Sequence, residues 1–187
     1  MANLTDSPHF ATHDDYYTPR CAWERVSCAI LTHTAKDKII WEACMLGAFQ
    51  SKSMEYLQDL SAPGAEQEKL KVVGNNFMDC LIDQPKEWDI IITNIPFDKT
   101  KKIPILKRFV ELDKPFIIIM NSMNTFTKYF HEIFKDKKEH LQIITPSSKI
   151  NFDKLQDGVL TPTKNCSFYC VYVCYKVNLS PECLWVD

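Results

Sequence analysis

The chain has 187 residues, 45% hydrophobic, 12% aromatic and 25% charged, with 4 Gly against 10 Pro. That length suits one core, which buries roughly 70% of the unfolded surface and needs no metal or disulfide to hold it; the composition excludes collagen-like, coiled-coil and disordered classes. With 22 Lys+Arg against 24 Asp+Glu the net charge is −2, which removes the usual electrostatic case for a protein that grips nucleic-acid phosphates.

Residues 1–15 are polar and aperiodic and read as an arm outside the core. A domain over 16–177 and a tail over 178–187 are expected to follow. Tyr17-Thr18-Pro19 opens a helical pattern in which Cys21, Trp23, Val26 and Ile30 recur, with Thr18 as candidate N-cap and Pro19 as the first helical residue. Lys38 to Ala43 is a short β-rich run that closes on Glu42, and Ser51 to Leu60 is helical by its Met54, Leu57 and Leu60 spacing. Ser61-Ala62-Pro63-Gly64 breaks that helix.

Two more cycles follow. Lys71-Val72-Val73-Gly74 reads as a second strand and Asp89-Ile90-Ile91-Ile92-Thr93 as a third, then Ile103 to Leu112 as a helix. Pro115 to Met120 is an almost purely apolar run, the mark of a strand covered on both faces. Phe126, Phe130, Ile133 and Phe134 predict another amphipathic helix, and Leu141 to Thr145 and Phe168 to Lys176 the last strands. Strands alternating with helices predict an α/β doubly wound, mostly parallel sheet. The strand near Phe168 to Lys176 is expected to be antiparallel.

No apolar stretch approaches the ~18 residues of a membrane span, and Met1 to Phe10 lacks the basic and apolar regions of a signal peptide. A soluble protein of a reducing compartment, without membrane partners, is expected. The 8 Cys, at 21, 28, 44, 80, 166, 170, 174 and 183, include no C-x-x-C pair. They read as small apolar residues, and no metal site is expected. His33, His131 and His140 have no partner at ligand spacing. Lys99, Lys101 and Lys102 read as a solvated helix start, and Lys135, Lys137 and Lys138 as a solvated loop.

Ligands of doubly wound sheets sit beyond the carboxyl ends of the strands. Three such ends stand out: Glu42 to Ala48, Val73 to Asn76, and Thr93-Asn94-Ile95-Pro96-Phe97. The third joins a polar amide to Pro and an aromatic at the end of an apolar strand.

With these segments the chain resembles the class I S-adenosylmethionine-dependent methyltransferases, specifically the adenine-N6 DNA methyltransferase-like proteins of large DNA viruses and phages. The likeness runs from Tyr17 to about Lys176. Tyr16-Tyr17-Thr18-Pro19 looks like the opening cofactor-carboxylate motif, Ile40-Trp41-Glu42-Ala43 like the first strand and its acid. Asn94-Ile95-Pro96-Phe97 looks like the catalytic loop of Asp or Asn, Pro-Pro and an aromatic. Asp113-Lys114-Pro115-Phe116 and Tyr172 to Lys176 are similar to further family segments. The resemblance implies a Rossmann-like fold, with S-adenosylmethionine as cofactor if the pocket is functional. It implies cofactor contacts from Tyr17, Thr18, Pro19, Glu42, Gly47 and Asp79. It also implies that Asn94 accepts hydrogen bonds from an adenine amino group while Phe97 stacks on the flipped base.

The sequence departs from the family at several of these places. Ile95 stands for the first Pro and does not fix φ as Pro does. Leu46 stands where a Gly should leave the backbone bare, and Asn75-Asn76 where an acid should hold the ribose hydroxyls. A degenerate cofactor pocket is therefore expected, and with it a pseudoenzyme that serves as a binding or virion (minor capsid) component, in the virion or the host cytoplasm. Its partners would be other protein chains held through the arm, with Phe10, Tyr16 and Tyr17 as anchors. The alternative is an active adenine-N6 methyltransferase on DNA or another nucleic acid; a third, a regulatory subunit paired with an active enzyme.

Overall fold

The computed structural model describes residues 16–34, 38–45, 51–60, 69–76, 79–157, 159–163 and 166–187. The expected arm of residues 1–15 lies outside them, as do Leu46 and Gly47. Short strand β1 (Tyr16–Tyr17) precedes helices α1 (Arg20–Glu24) and α2 (Ser27–His33). Then come β2 (Ile39–Met45), α3 (Ser51–Gln58), β3 (Lys71–Asn76), β4 (Ile90–Asn94), α4 (Lys99–Leu112), β5 (Phe116–Asn121) and α5 (Lys128–Phe134). Strands β6 (Leu141–Pro146), β7 (Asp153–Gln156), β8 (Val159–Pro162), β9 (Cys170–Tyr175) and β10 (Trp185–Val186) complete the chain.

Seven strands form one sheet in the order β10-β6-β9-β5-β4-β2-β3. The β3/β2, β2/β4, β4/β5 and β6/β10 pairs are parallel, and β9 runs antiparallel to both β5 and β6. The doubly wound, mostly parallel α/β fold is present, with its antiparallel strand where the sequence places it. Residues 178–187 add β10 to the sheet edge beside β6.

Alternation along the strands explains why helices lie on both faces. Ile40, Ile90, Ile92, Ile117, Ile119 and Tyr172 pack with Trp23, Ile30 and Leu57 of α1, α2 and α3. Their neighbours Trp41, Ile91, Phe116, Ile118, Val173 and Tyr175 pack on the other face with Phe109 of α4 and Phe130 and Phe134 of α5. Each strand is therefore apolar at consecutive positions, the signature of a sheet buried on both sides.

Local chemistry corrects several boundaries. The pattern from Cys21 to Ile30 is two helices, broken at Arg25 and Val26. Pro19, in an extended conformation, takes the N-cap position and Thr18 caps nothing. Helix α4 starts four residues earlier than its apolar spacing suggests, because Asp98 Oδ1 accepts from Thr100 N at 2.8 Å and caps it. Phe126 does not join α5: it ends a 3-10 turn over Ser122–Phe126 and is 80% exposed. Lys137 is no solvated bystander either. Its Nζ, that of Lys176 and the Tyr175 hydroxyl all donate to Asp113, at 2.7, 2.6 and 2.8 Å. Asp113 closes α4 in the left-handed region, with φ 54°, and the two ammonium groups and the phenol hold its carboxyl far below the usual carboxylate range.

Candidate functional site

Strands β2 and β4 are neighbours, yet the chain leaves β2 toward β3 on one side and returns to β4 on the other. That reversal of strand order opens a crevice beyond their carboxyl ends. Glu42 sits there on β2 and Asn94 ends β4. The structure brings Tyr17, Thr18, Glu42 and Asn94 into one cleft, with Cys44, Lys52, Ser53, Tyr56, Asp153 and Leu160 as the remaining lining. Pro19 and Asp79 are not among the lining residues, and Asp79 is exposed at the start of a 3-10 turn (Asp79–Leu81).

Glu42 is fully buried, and both of its oxygens are engaged by its own chain. Thr93 Oγ1 donates to Oε1, Ser53 Oγ donates to Oε2 at 2.9 Å, and the Cys44 amide reaches Oε1 at 3.4 Å. Ser53 is in turn held by Trp23 Nε1 at 2.8 Å, and Thr93 Oγ1 by the Cys44 amide at 3.1 Å. Burial dominates the three hydrogen bonds and pushes the Glu42 carboxyl up to about 7. The sequence marks Glu42 as the acid that closes this strand, but β2 runs on to Met45; the two hydroxyl partners of Glu42, from a helix and a neighbouring strand, are not legible there.

A second, three-stranded sheet roofs the cleft. Its order is β1-β7-β8, with Tyr17 opposite Asp153 and Tyr16 opposite Lys154. The β7–β8 hairpin turns at Asp157, whose φ is 50°. Asp153 and Leu160 of this hairpin face the cleft, and burial raises the Asp153 carboxyl above its ordinary value. Asp157-Gly158, flanked by Phe152 to Leu155 and Val159 to Leu160, is a strong hairpin signal that the strand-and-helix count passes over.

Asn94-Ile95-Pro96-Phe97 leaves β4 as expected, but its side chains serve different ends. Ile95 and Pro96 are buried, Ile95 in the core beneath α4, so the missing Pro is replaced by apolar packing. Phe97 is half-buried among Tyr16, Phe152 and Phe168, with ring centroids 5.9, 5.7 and 4.8 Å away. Lys102 is buried, not solvated, and its Nζ donates to the Phe97 carbonyl at 3.0 Å. Asn94 Oδ1 is buried without a hydrogen-bond partner, at the position where the resemblance implies a catalytic amide.

The space among the described lining residues is about 10 Å³, room for about one water molecule, whereas ligand sites occupy ~300–1,000 Å³. As the described side chains stand, the space among them does not hold S-adenosylmethionine. Among the described residues, no cluster of His, Cys, Asp or Glu has metal-holding geometry and no helix is long and apolar enough to cross a membrane.

No protein-family model and no curated protein matches the sequence. Solved structures with a similar fold include a modification subunit of a putative type I restriction enzyme from Vibrio vulnificus YJ016, at 11% identity and TM-score 0.45, over 92% of this chain and 46% of that one. A SAM-dependent O-methyltransferase from Thermotoga maritima aligns at 12% identity and TM-score 0.40, over 81% of this chain and 64% of that one. The chain thus spans less than two thirds of either protein.

Proposed function

We propose that this chain is a methyltransferase-like protein that no longer binds S-adenosylmethionine and serves as a non-catalytic binding or assembly component. The narrow space among the described lining residues carries the reading. Glu42, the acid expected to meet the cofactor, is buried and spent on Ser53, Thr93 and the Cys44 amide. The ring expected to stack on a flipped base instead packs on three rings of its own chain. The viral, virion-associated setting follows from the family resemblance of the motifs. The protein partners are reached through residues 1–15, whose polar composition buries too little apolar area to offset ordering entropy of ~1–2 kcal/mol per residue on its own.

Calorimetric titration of the full chain with S-adenosylmethionine tests the reading. No saturable binding below millimolar concentration is expected; a low-micromolar dissociation constant overturns it. Deleting residues 1–12 is expected to leave the thermal midpoint unchanged while abolishing incorporation into the parent complex.

One observation favours the second reading, an active adenine-N6 methyltransferase. Asn94 lines the cleft and its buried Oδ1 has no hydrogen-bond partner, as an amino-group acceptor would before substrate arrives. On that reading Asn94→Ala removes a measurable methyl transfer to adenine in DNA; on the first there is none to remove.

A further inference from the structure

Two cysteines far apart in sequence meet near the carboxyl terminus. Cys28 lies on α2 and Cys183 on the 3-10 turn Pro181–Leu184 that leads into β10, and their sulfurs are 3.8 Å apart. Cys28 is exposed and Cys183 half-buried, whereas Cys44, Cys80, Cys166, Cys170 and Cys174 are buried. The segment carrying Cys183 lies at the sheet edge, where Leu184 and Val186 pack against the core. Strand β10 has two residues in register with β6, Trp185 is 74% exposed, and the Ser147 amide donates to the Val186 carbonyl at 2.7 Å.

We propose that Cys28 and Cys183 form an intramolecular disulfide when the protein meets a small-molecule disulfide oxidant, and that this bond fastens the carboxyl-terminal strand to α2. Three features of the structure carry it. The sulfurs are already in van der Waals contact, so a bond of ~2.05 Å needs only a short approach. One partner sits on a short 3-10 turn beside the two-residue strand β10, so a small shift of that turn makes the approach. The pair is open to solvent, where a disulfide reagent reaches it. The inference stands apart from the cofactor reading, because neither cysteine lines the cleft.

The exchange balances without a further co-reactant. One thiolate of the pair attacks a sulfur of the oxidant, forming a mixed disulfide and releasing the first small thiol. The second protein thiolate then attacks the bound protein sulfur and displaces the second small thiol. Two protein thiols are oxidised to one disulfide, and one oxidant disulfide is reduced to two thiols. The closed loop spans most of the chain, and long loops restrict the unfolded state most.

The test uses the full chain, reduced and then incubated with oxidised glutathione, quenched by alkylation and mapped by peptide mass spectrometry. A Cys28–Cys183 linked peptide is expected, with two alkylation equivalents lost. The thermal midpoint is expected to rise by roughly 5–15 °C, and exchange of the Ser147 amide to slow. Cys28→Ser and Cys183→Ser each abolish the linked peptide and the midpoint rise, while Cys21→Ser, at another exposed thiol, keeps both. Glutathione adducts on Cys28 or Cys183 without a cross-link, or a linkage of either to any other cysteine, overturn the proposal.

Discussion

Replacing Glu42 by Gln measures how dry the cleft is. Glu42 is fully buried, and burial raises its carboxyl from an ordinary value near 4.5 to about 7. A folded pKa above the unfolded one means the folded state binds more protons between those values. Stability is therefore full below about pH 4.5 and declines as pH rises toward 7, by about 3 kcal/mol in all. Gln cannot ionise, and it keeps the shape. Its carbonyl accepts from Thr93, and its amide donates to Ser53 Oγ, which accepts from Trp23 Nε1 and has a second lone pair. Thermal unfolding of both proteins at pH 5 and pH 8 isolates the contribution, since every other titrating group is shared. The difference between variant and wild type is expected to move in favour of Gln by roughly 6–12 °C between the two pH values. Parallel pH profiles would refute the reasoning, because they would mean that Glu42 is hydrated and ionises normally in an open cleft.

Three further outcomes follow from the packing. Phe97→Ala removes a half-buried ring from a cluster of four and should cost about 2 kcal/mol in chemical denaturation; a base-stacking residue held in reserve would cost little. Asp113→Asn keeps a residue that tolerates φ 54° but discards the carboxylate that holds Lys137 and Lys176. The depressed Asp113 carboxyl contributes stability above its unfolded pKa of ~3.9 that is lost as pH falls, so the variant should be less stable at neutral pH and lose less on acidification below pH 4. Gly74→Ala places a Cβ 2.2 Å from Met45 Sδ and 2.7 Å from Met54 Sδ, and a loss of roughly 1–3 kcal/mol is expected as β3 and α3 separate.

The fold was legible where burial alone decides structure. Strands β4 and β5 are uninterrupted apolar runs because helices cover both faces, and that pattern survives without any knowledge of tertiary partners. The elements that were missed are held by tertiary pairing. Tyr16–Tyr17 is a strand because β7 lies beside it, and Trp185–Val186 because β6 does; two residues carry no period of their own. Phe126 shares the spacing of α5, but Asn121 Oδ1 caps a separate 3-10 turn by accepting from Met123 N at 2.9 Å, and a cap outweighs a weak apolar period. Charge misled in the same way. Lys102 and Lys137 read as solvated because neither Phe97's carbonyl nor Asp113's carboxylate is a neighbour in sequence.

The site divides along the same line. Glu42 and Asn94 are legible as candidates because ligands of such sheets sit beyond the strand ends, and both line the crevice there. What fills the crevice was hidden, because it comes from a hairpin sixty residues beyond Asn94 in sequence. The energetics of that filling set what the cofactor would face. Opening the roof would withdraw Tyr16 and Phe152 from Phe97 and Phe168, and Phe152 is fully buried. Each ring forfeits roughly 1.5–3 kcal/mol of burial on leaving, so opening costs about 3–6 kcal/mol. A binding-competent state that scarce weakens any intrinsic affinity by a factor of roughly 10²–10⁴. A micromolar site beneath this roof would thus present as a millimolar one or none. Tyr16→Ala with Phe152→Ala, which lowers the cost of opening, is therefore expected to strengthen S-adenosylmethionine binding if the site below survives, and to leave binding absent if Leu46 and Asn75 have already removed it.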